Sequence, residues 1–238
     1  MQLISLNIWG GKVFEPLMNF IKEESKSVDI FCFQEVFNNP KKAVYEGANL
    51  NIFSDISNLI PDFTGYFSPC QDNFGLACFI KNNLEAEVKD QFVFGEKDKM
   101  IKSDLTTLPR NIQIINLRFQ NLTIFNYHGL WLPGSKLDNS DRLEASKKIK
   151  TLVSGFSGKK ILCGDFNLEP HTKSLEILED GMRNLIKESG IKSTRSALYT
   201  KPVKFADYIL VSKDIQIKKF EVTSKEVSDH LPLFLEFD

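Results

Sequence analysis

The chain has 238 residues and sets 30 Lys plus Arg against 31 Asp plus Glu, so its net charge of −1 excludes a global pull on a polyanion. Any nucleic-acid or phosphate binding must then come from a local patch or a metal. No run approaches the roughly 18 apolar residues of a membrane span, and Met1-Gln2-Leu3-Ile4-Ser5-Leu6 has no basic leader. We therefore expect a cytoplasmic, monomeric protein with no integral membrane part, folded as one domain over 1–238.

Apolar runs that are β-branched or aromatic and too short for helices predict strands at 3–8, 28–34, 74–80, 112–119, 122–127, 160–163, 205–211, 215–222 and 231–237. Two helices are signalled. One starts at Pro16, a first-turn proline, and runs to about 26; the other covers 141 to about 153, opened by Asp138-Asn139-Ser140. Many strands with few, spaced helices predict an α/β four-layer sandwich, two packed mixed β-sheets flanked by helices. Cys32 and Cys163 sit in apolar runs and read as buried thiols; Cys70 and Cys78 could pair only in an oxidising compartment, which nothing else indicates.

One pattern recurs along the chain: an apolar strand ends on a metal-binding or hydrogen-bonding side chain. Strand 3–8 carries Asn7, strand 28–34 runs into Gln34-Glu35, strand 122–127 into Asn126-Tyr127-His128, and strand 160–163 into Gly164-Asp165-Phe166-Asn167. Two strands show the reverse, with Asp207 preceding Tyr208-Ile209-Leu210-Val211 and Ser228-Asp229-His230 preceding the last strand. Because antiparallel neighbours place the start of one strand beside the end of another, all six clusters can meet at one rim. Glu35 and Asp229 with amide oxygens suit Mg²⁺ or Mn²⁺ rather than zinc. Asp165 adds a candidate base, Asn167 can orient a water or oxyanion, and His128 and His230 can donate to phosphate oxygens. Singly, Asn7, Asp165 and Asn167 also read as turn residues, and Asp207 as a solvated edge charge. His171 matches no catalytic pattern and reads as surface.

Leu6-Asn7-Ile8-Trp9, Phe33-Gln34-Glu35-Val36, Asn126-Tyr127-His128-Gly129-Leu130, Gly164-Asp165-Phe166-Asn167, Ala206-Asp207-Tyr208-Ile209-Leu210 and Ser228-Asp229-His230-Leu231-Pro232 together resemble the ordered motif set of the endonuclease/exonuclease/phosphatase superfamily. The resemblance implies Glu35 as the principal metal ligand, helped by Asn7 and Asp229. It implies that Asp165 activates the attacking water, that Asn167 positions the water or the phosphate, and that His230, held by Asp207, contacts the scissile phosphate. It also implies that His128 binds another phosphate oxygen. Whether Asp165 or His230 is the base stays open.

Departures narrow the subgroup. Val36 follows Glu35 where apurinic endonucleases carry Thr-Lys, and His128 stands where they carry Tyr. The Trp-Cys-Asp-Arg run of inositol polyphosphate phosphatases is absent around Asp207, as is the arginine often found two places before that aspartate, where Phe205 stands. The His128 variant resembles pancreatic-type deoxyribonucleases, neutral sphingomyelinases and relatives of tyrosyl-DNA phosphodiesterases. The leading expectation is a nuclease, with nucleic acid as partner. Trp9, Trp131 and Phe14 would be available to stack bases, core or rim packing being the alternative for the tryptophans. A phospholipid or small phosphate-ester hydrolase is the alternative class. An inactive binding module is third, disfavoured because every catalytic position is filled.

Overall fold

The computed structural model describes residues 1–97, 99, 108–132 and 135–238. Two six-stranded sheets form. The first contains β1 (Gln2–Asn7), β2 (Ile30–Phe37), β3 (Phe63–Gln71), β4 (Phe74–Lys81), β11 (Ile217–Val222) and β12 (Leu233–Phe237), in the order β11-β12-β1-β2-β4-β3. The second contains β5 (Glu87–Phe94), β6 (Arg110–Leu117), β7 (Leu122–His128), β8 (Lys159–Asp165), β9 (Met182–Asn184) and β10 (Asp207–Ser212), in the order β5-β6-β7-β8-β10-β9. Both sheets are mixed, β1–β2 and β7–β8 being parallel and the other ladders antiparallel.

Alternation along the strands assigns the faces. Leu3, Cys32 and Cys78 point inward against Ile124 and Cys163 of the second sheet. Ile4, Phe31 and Phe33 point outward and are covered by Leu17 and Ile21 of α1 (Phe14–Glu24) and by Ile52 and Ile56 of α2 (Ile52–Leu59). The second sheet is covered by α3 (Ser140–Ser154) and α4 (Lys173–Glu179), a short α5 (Leu185–Glu188) following β9. The result is the expected helix–sheet–sheet–helix sandwich. Burial on both faces explains why β2 and β4 read as unbroken apolar runs.

All four cysteines are buried thiols. The interior also holds a polar seam. Gln34 Nε2 donates to Asn126 Oδ1 at 2.7 Å, Asn126 Nδ2 donates to the Phe33 and Ala77 carbonyls and to Gln113 Oε1 at 3.2 Å, and Gln113 Nε2 reaches Ser68 Oγ at 3.1 Å. An amide network of this kind favours one register between the sheets, since a slip would orphan more buried groups than Gln34 Oε1, which alone in it lacks a partner. Among the described residues, no helix is long and apolar enough to cross a membrane.

Candidate active site

Strand register builds the site. The β7–β8 ladder sets His128 beside Asp165, and the β8–β10 ladder sets Asp207 on the other side of Asp165, so three side chains stand in one row across the second sheet. Two glycines make that row possible: a Cβ on Gly129 would lie 1.9 Å from the Phe166 carbonyl oxygen, and one on Gly164, at φ +134°, 2.0 Å from that of Tyr127. In the first sheet Asn7 ends β1 opposite Gln34. Glu35 follows at a bulge in the β2–β4 ladder with φ +57°, a left-handed geometry that turns its carboxylate toward the rim. β12 runs antiparallel to β1 and starts beside its end, which brings in Asp229 and His230 from the preceding turn.

The side chains then interlock. Asn7 Nδ2 donates to Glu35 Oε1 and to Asp165 Oδ2, both at 3.0 Å, while its Oδ1 accepts from the Trp9 backbone N–H at 2.9 Å. Tyr45 donates its hydroxyl to Glu35 Oε2 at 2.6 Å. Asp165 Oδ1 accepts from the Asn167 N–H at 2.9 Å. His230 Nδ1 faces both oxygens of Asp207, at 2.8 and 2.9 Å, and Thr194 Oγ1 donates to Asp207 Oδ2 at 2.8 Å. The other ring nitrogen of His230 touches the Arg195 guanidinium, which also reaches Asp229 Oδ2 at 3.2 Å. His128 Nε2 is buried without a hydrogen-bond partner, 3.7 Å from Asp165 Oδ2 and 3.8 Å from Glu35 Oε1.

Burial and charge tune these groups in opposite directions. Burial, aided by Arg110, pulls the His128 pKa down to about 3, so its imidazole is neutral. Burial and Arg195 also press on His230, but Asp207, Asp229 and Asp165 outweigh them and its pKa is raised. Burial works against the charged form of Asp165, yet His230, Lys136 and Arg195 hold it well below the usual carboxylate range. Glu35 is raised, chiefly by burial, against the hydrogen bonds from Asn7 and Tyr45. Groups pushed apart in this way within one cleft are what acid–base chemistry requires.

The cleft above these residues has a volume of about 590 Å³, and Glu35, His128, Asp165, Asn167, Asp229 and His230 line it. Asn7 and Asp207 sit just behind, holding the lining groups from below. Trp9 and Trp131 are both walls, Lys12 lying 4.5 Å from the Trp9 ring centre and Lys201 5.6 Å from that of Trp131. Phe14 is not a wall: it starts α1 and packs against the outer-face core. Gln34 and Asn126, which the strand-end pattern placed at the rim, belong to the seam between the sheets. His171 is exposed.

Sequence reasoning missed Tyr45, Lys136, Thr194 and Arg195. Phe205 stands two places before Asp207, and a guanidinium enters the site instead at Arg195, farther upstream. Residues 194–196 run beside the 229–231 turn, with Ser196 N–H bonded to Asp229 O at 3.2 Å and Leu231 N–H to Thr194 O at 2.9 Å. Only this tertiary pairing brings Arg195 into place, and no periodicity announces it.

Among the described residues, carboxylates and imidazoles converge in two sets, Glu35 with His128 and Asp165, and Asp165 with Asp207 and His230, each with ligand atoms within 4.8 Å of one another. Fold and site together define a hydrolase-type α/β sandwich of the kind that handles phosphate esters. The chain belongs to the Endonuclease/Exonuclease/phosphatase family, whose sequence model matches residues 4–230. No curated protein matches it in sequence. Solved structures share the fold. A mannosyl-6-phosphatase of Bacteroides thetaiotaomicron superposes with TM-score 0.74 at 17% identity over 100% of this chain and 99% of that one. A humanized D. rerio TDP2 gives 0.69 at 12% identity over 100% and 98%, and the human Nocturnin catalytic domain 0.63 at 18% over 100% and 93%. The family generally depends on a divalent metal, and this chain has acidic and histidine groups able to bind one.

Proposed function

We propose that this chain is a Mg²⁺- or Mn²⁺-dependent phosphodiesterase that hydrolyses nucleic acid at flexible single-stranded ends or short oligonucleotides, acting as a monomer in the cytoplasm. The observation that carries the reading is the linked set Glu35–Asn7–Asp165 with His128 and the Asp207–His230 pair, laid on the floor of an aromatic-walled cleft.

The donor set fits a hard cation because carboxylate oxygens dominate it; the unpartnered, buried Nε2 of His128 beside Glu35 and Asp165 is left to meet the phosphate. Glu35 is the principal ligand and Asp229 the second. Asn7, its oxygen engaged by Trp9 N–H, contributes in this arrangement by holding Glu35 and Asp165 at a fixed separation. When bound, the cation supplies positive charge at the phosphoryl oxygens.

Asp165, held ionised, takes the proton of the attacking water, and Asn167 orients that water or a phosphoryl oxygen. His230 keeps its proton because three carboxylates favour the imidazolium, so it is a poor base and a good donor to the charge that develops on phosphorus oxygens. This argues for Asp165 as the proton acceptor. The neutral His128 donates to another phosphoryl oxygen through Nε2.

The aromatic walls favour a substrate with a planar group next to the phosphate, since bases stack on Trp and Tyr without sequence readout. A second reading, hydrolysis of a small phosphate ester, is favoured by the cleft volume of about 590 Å³, which suits a compact ligand. The test is turnover of purified protein with Mg²⁺ or Mn²⁺ on single-stranded DNA, duplex DNA, RNA, sphingomyelin, inositol phosphates and sugar phosphates. Preference for single strands supports the first reading. Selective hydrolysis of a lipid or sugar phosphate with no nucleic-acid cleavage transfers the assignment to the second.

A further inference from the structure

Lys136 is 6% exposed, and its ammonium nitrogen has no hydrogen-bond partner. Buried polar groups are almost always satisfied, and a buried ammonium left unpaired works against folding. It stands among the acids of the site: Asp165, Asp207 and Asp229 all act on it electrostatically, yet it forms no ion pair with any of them within 4.0 Å. Its nitrogen lies 5.9 Å from the centre of the Tyr199 ring, a cleft wall. Arg195, on the same ring at 4.0 Å, likewise has a buried Nε without a partner.

The placement is built, not incidental. The Arg142 guanidinium clamps the segment around Lys136, donating to Leu137 O at 2.6 Å, Ser135 O at 2.8 Å and Leu130 O at 3.2 Å. The Lys136 carbonyl accepts from Glu169 N–H at 3.2 Å, tying it to the loop that carries Asp165 and Asn167. Asp138, two residues on, accepts from the N–H groups of Lys173 and Ser174 at the start of α4. Three anchors thus hold a lysine whose own charged end is bonded to nothing.

We propose that Lys136 is an anion-binding residue of the site, its ammonium donating to a phosphoryl oxygen of the bound ester and supplying a second cation beside Arg195. The inference rests on the phosphoesterase reading above. Because the nitrogen gives up no hydrogen bond, its four-carbon stem turns toward a phosphate at little cost. The surrounding acids are neutralised only in part by Arg195, and an anion entering this site needs the second positive charge.

The test compares wild type, K136M and K136R, using inorganic phosphate as the probe in the presence of Mn²⁺. Phosphate affinity is measured by calorimetry, Mn²⁺ affinity by electron paramagnetic resonance, and the thermal midpoint by scanning. K136M should weaken phosphate binding by about tenfold or more while Mn²⁺ affinity stays put. Its thermal midpoint should be unchanged or higher, because an unpaired buried charge has been replaced by an apolar chain of similar length. K136R, which keeps the charge, should retain most of the phosphate affinity and controls for any folding failure of K136M. Phosphate bound equally well by wild type and K136M, or not bound by wild type at all, overturns the proposal. So does a K136M midpoint that collapses while K136R folds normally and fails to bind phosphate. Ester hydrolysis with an unaltered KM in K136M would remove this role and leave the enzyme assignment standing. Lys136-dependent phosphate binding without hydrolysis of any ester would do the reverse.

Discussion

Asp207→Asn removes one charge from a buried pair and leaves its shape almost intact, so its effect isolates electrostatics. In the native site His230 Nδ1 meets both Asp207 oxygens, at 2.8 and 2.9 Å, while Thr194 fixes the carboxylate from behind at 2.8 Å. Burial and Arg195 push the ring toward neutrality, and Asp207 leads the carboxylates that reverse this. The amide cannot do so, and His230's hold on its proton weakens. Loss of a positioned proton donor costs about 10²–10⁴-fold in rate, or roughly 3–5 kcal/mol of barrier. With Mn²⁺ and an activated diester such as bis(p-nitrophenyl) phosphate, kcat/KM should fall by that factor in Asp207→Asn and in His230→Ala. The double variant should be no worse than His230→Ala alone, because the two residues act as a unit. A loss below about tenfold in Asp207→Asn, or single losses that multiply in the double variant, refutes the reasoning.

His128 gives a stability prediction. Its folded pKa of about 3 lies below the ordinary 6.5, so the unfolded chain binds a proton that the fold refuses. Its contribution is complete above about pH 6.5 and is lost as pH falls toward about 3, with a ceiling near 5 kcal/mol. Urea midpoints of metal-free protein between these limits should fall more steeply for wild type than for His128→Gln, and equal slopes would contradict the account. Gly164→Ala should cost about 3 kcal/mol or more, since its Cβ would come within 2.0 Å of Tyr127 O; an unchanged denaturation midpoint argues against the packing described. With a net charge of −1, oligonucleotide turnover should depend only weakly on salt, and a steep slope would reveal an extended cationic footprint.

The site was legible because its chemistry sits where strands end, and strand ends are marked by the change from apolar to polar residues. Asn7, Glu35, His128, Asp165 and Asn167 were found this way, and the β8–β10 register explains why Asp207 joined them. The pattern overreached at Gln34 and Asn126, whose positions in the strands turn them inward. The missed strands are edges: β3 carries Gly65 and Pro69, β5 is half exposed and includes Glu87, Lys89 and Asp90, and β9 has three residues. Such segments bury too little to show an apolar run. Helix α4 was also missed, although its Thr172 cap, which accepts from Leu175 N–H, was visible in principle. Tyr45 and Arg195 reach the cleft, and Lys136 the acids beside it, from loops placed by tertiary contacts alone.

Metal dependence carried by Glu35 is the point on which the account turns. The partly buried Glu35 carboxyl, already raised by desolvation, tolerates an amide in its place, so Glu35→Gln should fold with an unchanged thermal midpoint. The direct measurement is hydrolysis of a single-stranded oligonucleotide and an activated phosphodiester by wild type and Glu35→Gln, with Mn²⁺, with EDTA, and with Mn²⁺ restored in excess. We predict turnover by wild type that EDTA abolishes and Mn²⁺ restores, and none by Glu35→Gln under any condition. Hydrolysis undiminished in EDTA, or by the Glu35→Gln protein, would contradict it.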